Sequence, residues 1–160
     1  MYLTHDEFLK RVKELNSNYW REGADYRWEY MEYAITELQR LNAKNIIEAG
    51  AFRMPLCDNS FMFDFPNHNL DRIPYNFKDK EFDIFVALQT WEHLDRQTEA
   101  FQEVMRISKN AILSFPYRWR HGDQRHRGID SKRISMWTCG VEPARMKLIK
   151  DRIVYTWEFK

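Results

Sequence analysis

The chain has 160 residues, a length that favours one domain with a core of its own. Hydrophobic residues make up 44% and aromatics 16%, which excludes a disordered chain, and a formal net charge of +1 removes the overall electrostatic case for nucleic-acid binding. Cys57 and Cys139 are the only cysteines and neither has zinc-type spacing, so reduced thiols and a cytoplasmic setting are expected. The first residues show no basic stretch followed by an apolar one, and no apolar run reaches the roughly 18 residues of a bilayer span, so neither a signal peptide nor a membrane helix is expected.

Thr4 followed by Glu7 is a capping-box pattern, and Phe8, Val12 and Leu15 recur at helical spacing, so residues 5–16 read as an amphipathic helix. The stretch 16–23 breaks it. A second helix is predicted from 25 to 42, with Trp28, Met31, Ile35, Leu38 and Leu41 on one core-facing stripe. Residues 44–50 then read as a short buried strand entering a turn, and 60–64 as another. Residues 81–88 form a near-continuous apolar run, as in a strand covered on both faces. Helical spacing returns from Asp95 to Ser108, followed by a strand over 110–115 that Pro116 stops. A polar loop runs to 129, a short helix is predicted over 131–138, and 146–149 with 153–159 alternate like an antiparallel hairpin around Lys150 and Asp151. This order predicts an α/β layered fold in a single domain over 1–160, with N-terminal helices in 1–43 and the sheet-bearing core in 44–160.

Three segments carry a resemblance. Asn45-Ile-Ile-Glu-Ala-Gly50 resembles the first strand and motif I of class I S-adenosylmethionine-dependent methyltransferases of the type 11 kind. Residues 73–94, ending Ala87-Leu-Gln-Thr-Trp-Glu-His-Leu94, are similar to the family's Pro-aromatic loop, its Phe-Asp strand start and the Glu-His-Leu after that strand. Residues 101–116 are similar to its next helix and strand. The resemblance spans roughly residues 45–140. It implies a Rossmann-like, mostly parallel sheet with an antiparallel C-terminal hairpin, S-adenosylmethionine as cofactor and S-adenosylhomocysteine as product. It also implies cofactor-binding roles around Glu48, Ala49 and Gly50 for the methionine end, Asp64 for the ribose, Asp71 near the adenine edge, and Leu88 and Gln89 near the reactive methyl. Those positions suit ligand binding beyond the carboxyl ends of parallel strands, where a glycine lets the backbone approach closely.

Two features depart from the family pattern. The turn Glu48-Ala-Gly-Ala-Phe-Arg-Met-Pro-Leu56 is poor in glycine; Arg53 there could meet the cofactor carboxylate through its planar fork. The interval to the 81–88 strand is also short, with about eleven residues between the first strand and Ser60 and about seventeen between Asp64 and Phe82, against the dozen or more that each parallel crossover needs. The sheet is therefore expected to be trimmed at its β2/β3 edge, which a homodimer could complete.

Several candidates face the acceptor in this reading. Glu92 and His93 are placed at the start of the next helix, where His93 either meets the substrate or donor methyl, or where the pair simply marks a helix start favoured by the dipole. His126 is the preferred general base, with Asp123 or Asp130 orienting it. His121, Asp123 and His126 show no convergent third histidine, so no metal is predicted. Arg118, Arg120, Arg125, Arg127 and Arg133 with Tyr117 and Trp119 read either as a solvated basic loop or as a site for an anionic acceptor. The aromatic stretch 18–28 reads as core or dimer packing, or as a wall or lid over the site. The function implied is methyl transfer to a small-molecule or glycan acceptor. The alternatives are a non-catalytic binding or assembly protein on a decayed scaffold, and an enzyme that cleaves the same cofactor. Neither nucleic acid nor a membrane is indicated as partner.

Overall fold

A computed structural model describes all of residues 1–160. It opens with helices α1 (His5–Leu15), α2 (Asn18–Arg21) and α3 (Ala24–Arg40). The Thr4 side chain accepts from the Glu7 amide, so the predicted cap forms. The predicted break after residue 16 contains the extra turn α2. Strands β1 (Ile46–Ala49), β2 (Phe61–Phe63) and β3 (Phe82–Leu88) follow. A single 3-10 turn at Trp91–His93 precedes α4 (Gln97–Ile107). The remainder is β4 (Ser108–Pro116), α5 (Ser131–Trp137), β5 (Arg145–Ile149) and β6 (Arg152–Glu158).

The six strands form one sheet in the order β2-β1-β3-β4-β6-β5. The first four are parallel, while β6 runs antiparallel to both β4 and β5. This is the expected mostly parallel sheet with an antiparallel C-terminal hairpin. Side chains alternate across the strands, which explains why the central ones are apolar on both sides. Ile46, Ile84, Val86, Ile112 and Val154 face α1 and α3 through Phe8, Val12, Met31, Ala34 and Leu38. Ile47, Phe85, Ala87, Leu113 and Phe115 face the opposite way, against Phe101, Val104 and Ile107 of α4 and Trp137 of α5. No helix in the structure is long and apolar enough to cross a membrane.

The β2 edge is short, with three residues and no helix between β1 and β2 or between β2 and β3. Loop side chains do the covering instead. Met54, Leu56 and Cys57 pack with α1 and α3 on one face. On the other face Phe63 stacks on His68 at 4.6 Å and meets Tyr75 at 5.1 Å, and Phe77 meets Phe82 at 5.0 Å. Irregular backbone needs partners that a helix would have supplied internally. Arg106 provides them, donating to the carbonyls of Phe77 and Tyr75 at 2.7 and 2.9 Å, while Glu103 accepts from the Tyr75 amide at 2.7 Å. At the other end of the strands Asp83 accepts from the Lys44 and Asn45 amides, both at 3.0 Å, and from Lys109 at 2.8 Å. The Lys109 bond, with the two amides, lowers its carboxyl to about 2.

One boundary needs correction. Glu92 and His93 do not begin the helix after β3, so a dipole at that helix start does not account for them. The fully buried Trp91 anchors a separate turn, and α4 starts later, where Asp71 accepts from the Asp95 and Arg96 amides at 3.0 and 2.9 Å.

Candidate active site

Leu88 ends β3 and Gln89 follows it, at the carboxyl edge of the parallel strands. Around them the structure opens three adjoining recesses. The first is mostly apolar, lined by Trp20, Tyr30, Met31, Met54 and Leu88, with Glu48 and Gly50. It is small, with a cavity volume of about 40 Å³. The second lies on the other side of Gly50, under Phe63, Asp64, Phe65, His68 and Asp71, with a cavity volume of about 280 Å³. The third is polar, lined by Gln89, Glu92, His93, Trp119, His126 and Arg152, with Tyr19, Tyr26 and Arg27 from the aromatic N-terminal stretch.

The β1 turn is built from the two acids of the first two recesses. Glu48 is buried and accepts from the Leu56 amide at 2.8 Å, the Cys57 amide at 3.1 Å and the Ser60 hydroxyl at 2.5 Å. Burial raises its carboxyl, and those three donors act against the rise. Asp64 accepts from the Gly50 amide at 2.5 Å and the Phe52 amide at 3.0 Å. Both acids therefore hold the turn. A carboxylate has about four acceptor sites, so Glu48 keeps one unused and Asp64 two. Gly50 has φ +71°, and a Cβ there would sit 2.2 Å from Thr90 Oγ1. The close approach its glycine permits is thus to Thr90. Phe52 also sits in the left-handed region, at φ 55°, with its ring pointing outward and 66% exposed. Arg53 is exposed, its guanidinium 5.6 Å over the Phe52 ring, and lines none of the three recesses. Ala49 lines the first recess.

A family model described as methyltransferase domain matches residues 12–111. The chain belongs to that methyltransferase family. S-adenosylmethionine is its cofactor. Solved structures show the same fold at low identity. An S-adenosylmethionine-dependent methyltransferase from Clostridium acetobutylicum ATCC 824 is 11% identical, with TM-score 0.64 over 94% of this chain and 98% of that one. The methyltransferase domain of bacterial CtHen1-C is 15% identical, with TM-score 0.60 over 84% and 98%. A protein from Pyrococcus horikoshii OT3 is 13% identical, with TM-score 0.62 over 91% and 93%. No curated protein matches.

The residues of this methyltransferase fit the cofactor. The apolar recess suits a thioether chain, Asp64 retains acceptor sites for hydroxyls, and the exposed Phe65 offers a ring face to a purine. The Ala51 and Arg53 amides carry no hydrogen bond within the chain, which leaves donors for a carboxylate.

In the polar recess, His126 Nδ1 lies 2.6 Å from Asp123 Oδ1. That bond lowers the Asp123 carboxyl. Asp123, not Asp130, orients His126; Asp130 accepts from the Arg133 amide at 2.9 Å and caps α5. The His93 and His126 rings meet edge to face with centroids 4.9 Å apart. Partial burial, the neighbouring His126 and Arg125 keep His93 below its usual pKa. Glu92 is pushed up to about 7 by burial. His121 is elsewhere, exposed and stacked on Trp119 at 4.7 Å. The metal-capable group is therefore not His121, Asp123 and His126 but Glu92, His93 and His126. Sequence reasoning missed Arg152 and Thr90 altogether, since a hairpin residue and a strand-end threonine carry no local signal. It had Glu92 only as a helix-start acid.

Proposed function

We propose that the methyltransferase transfers a methyl group to a hydroxyl or amine of a small-molecule or glycan acceptor held in the polar recess. One observation carries this reading. Consecutive residues at the end of β3 divide the two chemistries: Leu88 lines the apolar recess and Gln89 the polar one. A donor on the first side and an acceptor on the second would meet at that strand end, so proximity and orientation supply most of the rate.

When bound, the cofactor supplies a methyl group already activated on a sulfonium. The chain's own residues hold and orient. The Glu48 and Asp64 bonds shape the turn that receives the methionine end, and Asp64 has acceptor sites for the ribose. Gln89 is fixed at its own end, its backbone amide and side-chain Nε2 both donating to Ser114 Oγ at 3.0 and 3.1 Å. For a hydroxyl acceptor, Asp123 holds the His126 proton on Nδ1 and leaves Nε2 to take the hydroxyl proton. Arg27 and Arg152 suit an acceptor that carries an anionic group.

Calorimetric titration with S-adenosylhomocysteine tests the donor side. Micromolar binding is expected, and Leu88→Trp, which fills the apolar recess, abolishes it in a protein whose circular dichroism is unchanged. An acceptor screen follows, in which His126→Ala lowers kcat for a hydroxyl acceptor about 100-fold without changing the affinity for S-adenosylhomocysteine. Absence of binding at millimolar ligand overturns the reading.

A further inference from the structure

The polar recess holds a buried acid that is short of partners. The Glu92 side chain is 1% exposed, and its Oε2 has no hydrogen-bond partner. Oε1 is 3.9 Å from His93 Nε2, too far for a hydrogen bond. A carboxylate oxygen taken from water and left unpaired is costly, so this one calls for a partner. The neighbours suggest which. Glu92, His93 and His126 each offer one ligand atom there, and those atoms all lie within 4.8 Å of one another. They come from separate segments, the turn after β3 and the loop after β4.

His126 is prepared for ligation. Its Nδ1 is committed to Asp123 at 2.6 Å, which leaves the Nε2 lone pair free. A carboxylate behind an imidazole in this way fixes the tautomer and raises the basicity of the ligating nitrogen. His93 is steadied from behind, since Arg125 donates to its backbone carbonyl. Arg152 lines the same recess, and its charge acts on the Glu92 carboxyl and opposes a cation there; its Nη1 is held by Asp151 at 2.5 Å and its guanidinium lies over Tyr26 at 4.3 Å and Trp119 at 4.9 Å, while its Nε has no partner.

We propose that Glu92, His93 and His126 bind a divalent first-row transition ion, such as manganese, cobalt or zinc, with Asp123 as the positioning residue behind His126. Two imidazoles and one carboxylate are the donors such ions take. Three protein ligands leave positions open, as in catalytic sites rather than structural ones. The role of the ion rests on the transferase reading above. It would take over from His126 Nε2, which it occupies, and bind the acceptor oxygen directly. A hydroxyl on such an ion releases its proton near neutral pH, so the site narrows the acceptor to a hydroxyl compound.

The test is titration of chelator-treated protein with cobalt, followed by its visible absorption and by calorimetry. One ion per chain is expected. Glu92→Gln, an isosteric change that keeps the fold, and His126→Ala each weaken binding about tenfold or more, and Asp123→Asn weakens it 10- to 100-fold. His121→Ala, outside the cluster, leaves it unchanged. No binding, or binding that survives Glu92→Gln and His126→Ala together, overturns the site. S-adenosylhomocysteine titrated into the same samples separates the two ideas. Cobalt bound at these ligands without S-adenosylhomocysteine upholds the ion site while the transferase reading falls. S-adenosylhomocysteine bound without cobalt does the reverse.

Discussion

Glu48 and Glu92 are both buried carboxylates at the carboxyl edge of one sheet, and the fold treats them in opposite ways. Glu48 has three donors, from two amides and a hydroxyl, and closes the turn after β1. Glu92 has an oxygen with none. A buried acid whose oxygens are taken by backbone amides is part of the scaffold, because its removal strands the donors too. A buried acid left short of partners points outward from the scaffold, to something the protein binds. The polar recess, which holds Glu92, is thus the more informative end of the site.

The largest effect should come from breaking the satisfied acid. Glu48→Ala leaves the Leu56 and Cys57 amides and the Ser60 hydroxyl without their acceptor, and a loss of about 3 kcal/mol is expected in urea denaturation. A failure of this variant to bind cofactor would therefore report on the turn as much as on any direct contact. Gly50→Ala comes next, at about 2 kcal/mol, since its φ of +71° and the 2.2 Å approach to Thr90 Oγ1 both oppose a side chain. Glu92→Gln should go the other way. The folded-state carboxyl, raised to about 7, keeps a proton that the unfolded chain has already released, so wild-type stability falls as pH rises from the ordinary 4.5 through 7. The metal-free variant lacks that loss and should be more stable than wild type at pH 8 by about 1 kcal/mol. A destabilised Glu92→Gln protein would break the comparison and make Glu92 a structural acid like Glu48.

Much of the fold was legible because its causes are local. Apolar runs at 46–49, 82–88 and 110–115 mark strands covered on both faces, and helical spacing with the Thr4 cap marks α1. Trimming of the β2 edge also followed from chain length, since too few residues separate Gly50 from Phe82 for two crossover helices. What fills that edge was not legible. The stack of Phe63, His68, Tyr75 and Phe77 joins residues 5 to 14 positions apart inside an irregular loop, and the Arg106 bonds that hold its backbone reach about 30 positions along the chain.

For the site, sequence by itself determined the order of strands and therefore which residues reach the carboxyl edge: Glu48 and Gly50 after β1, Asp64 after β2, Leu88 and Gln89 after β3, and the His126 loop after β4. It also supplied Asp123 three residues before its histidine, close enough to pair. Only the tertiary structure decided the partners. It gave Asp71 to the start of α4 and Asp130 to α5. It covered Gly50 with Thr90, and it brought Glu92 and His93 beside His126 across more than thirty intervening residues. Strand order follows from local patterns repeated along a chain. The meeting of ligands at one point follows from how two loops fold over the sheet, and no local pattern encodes that.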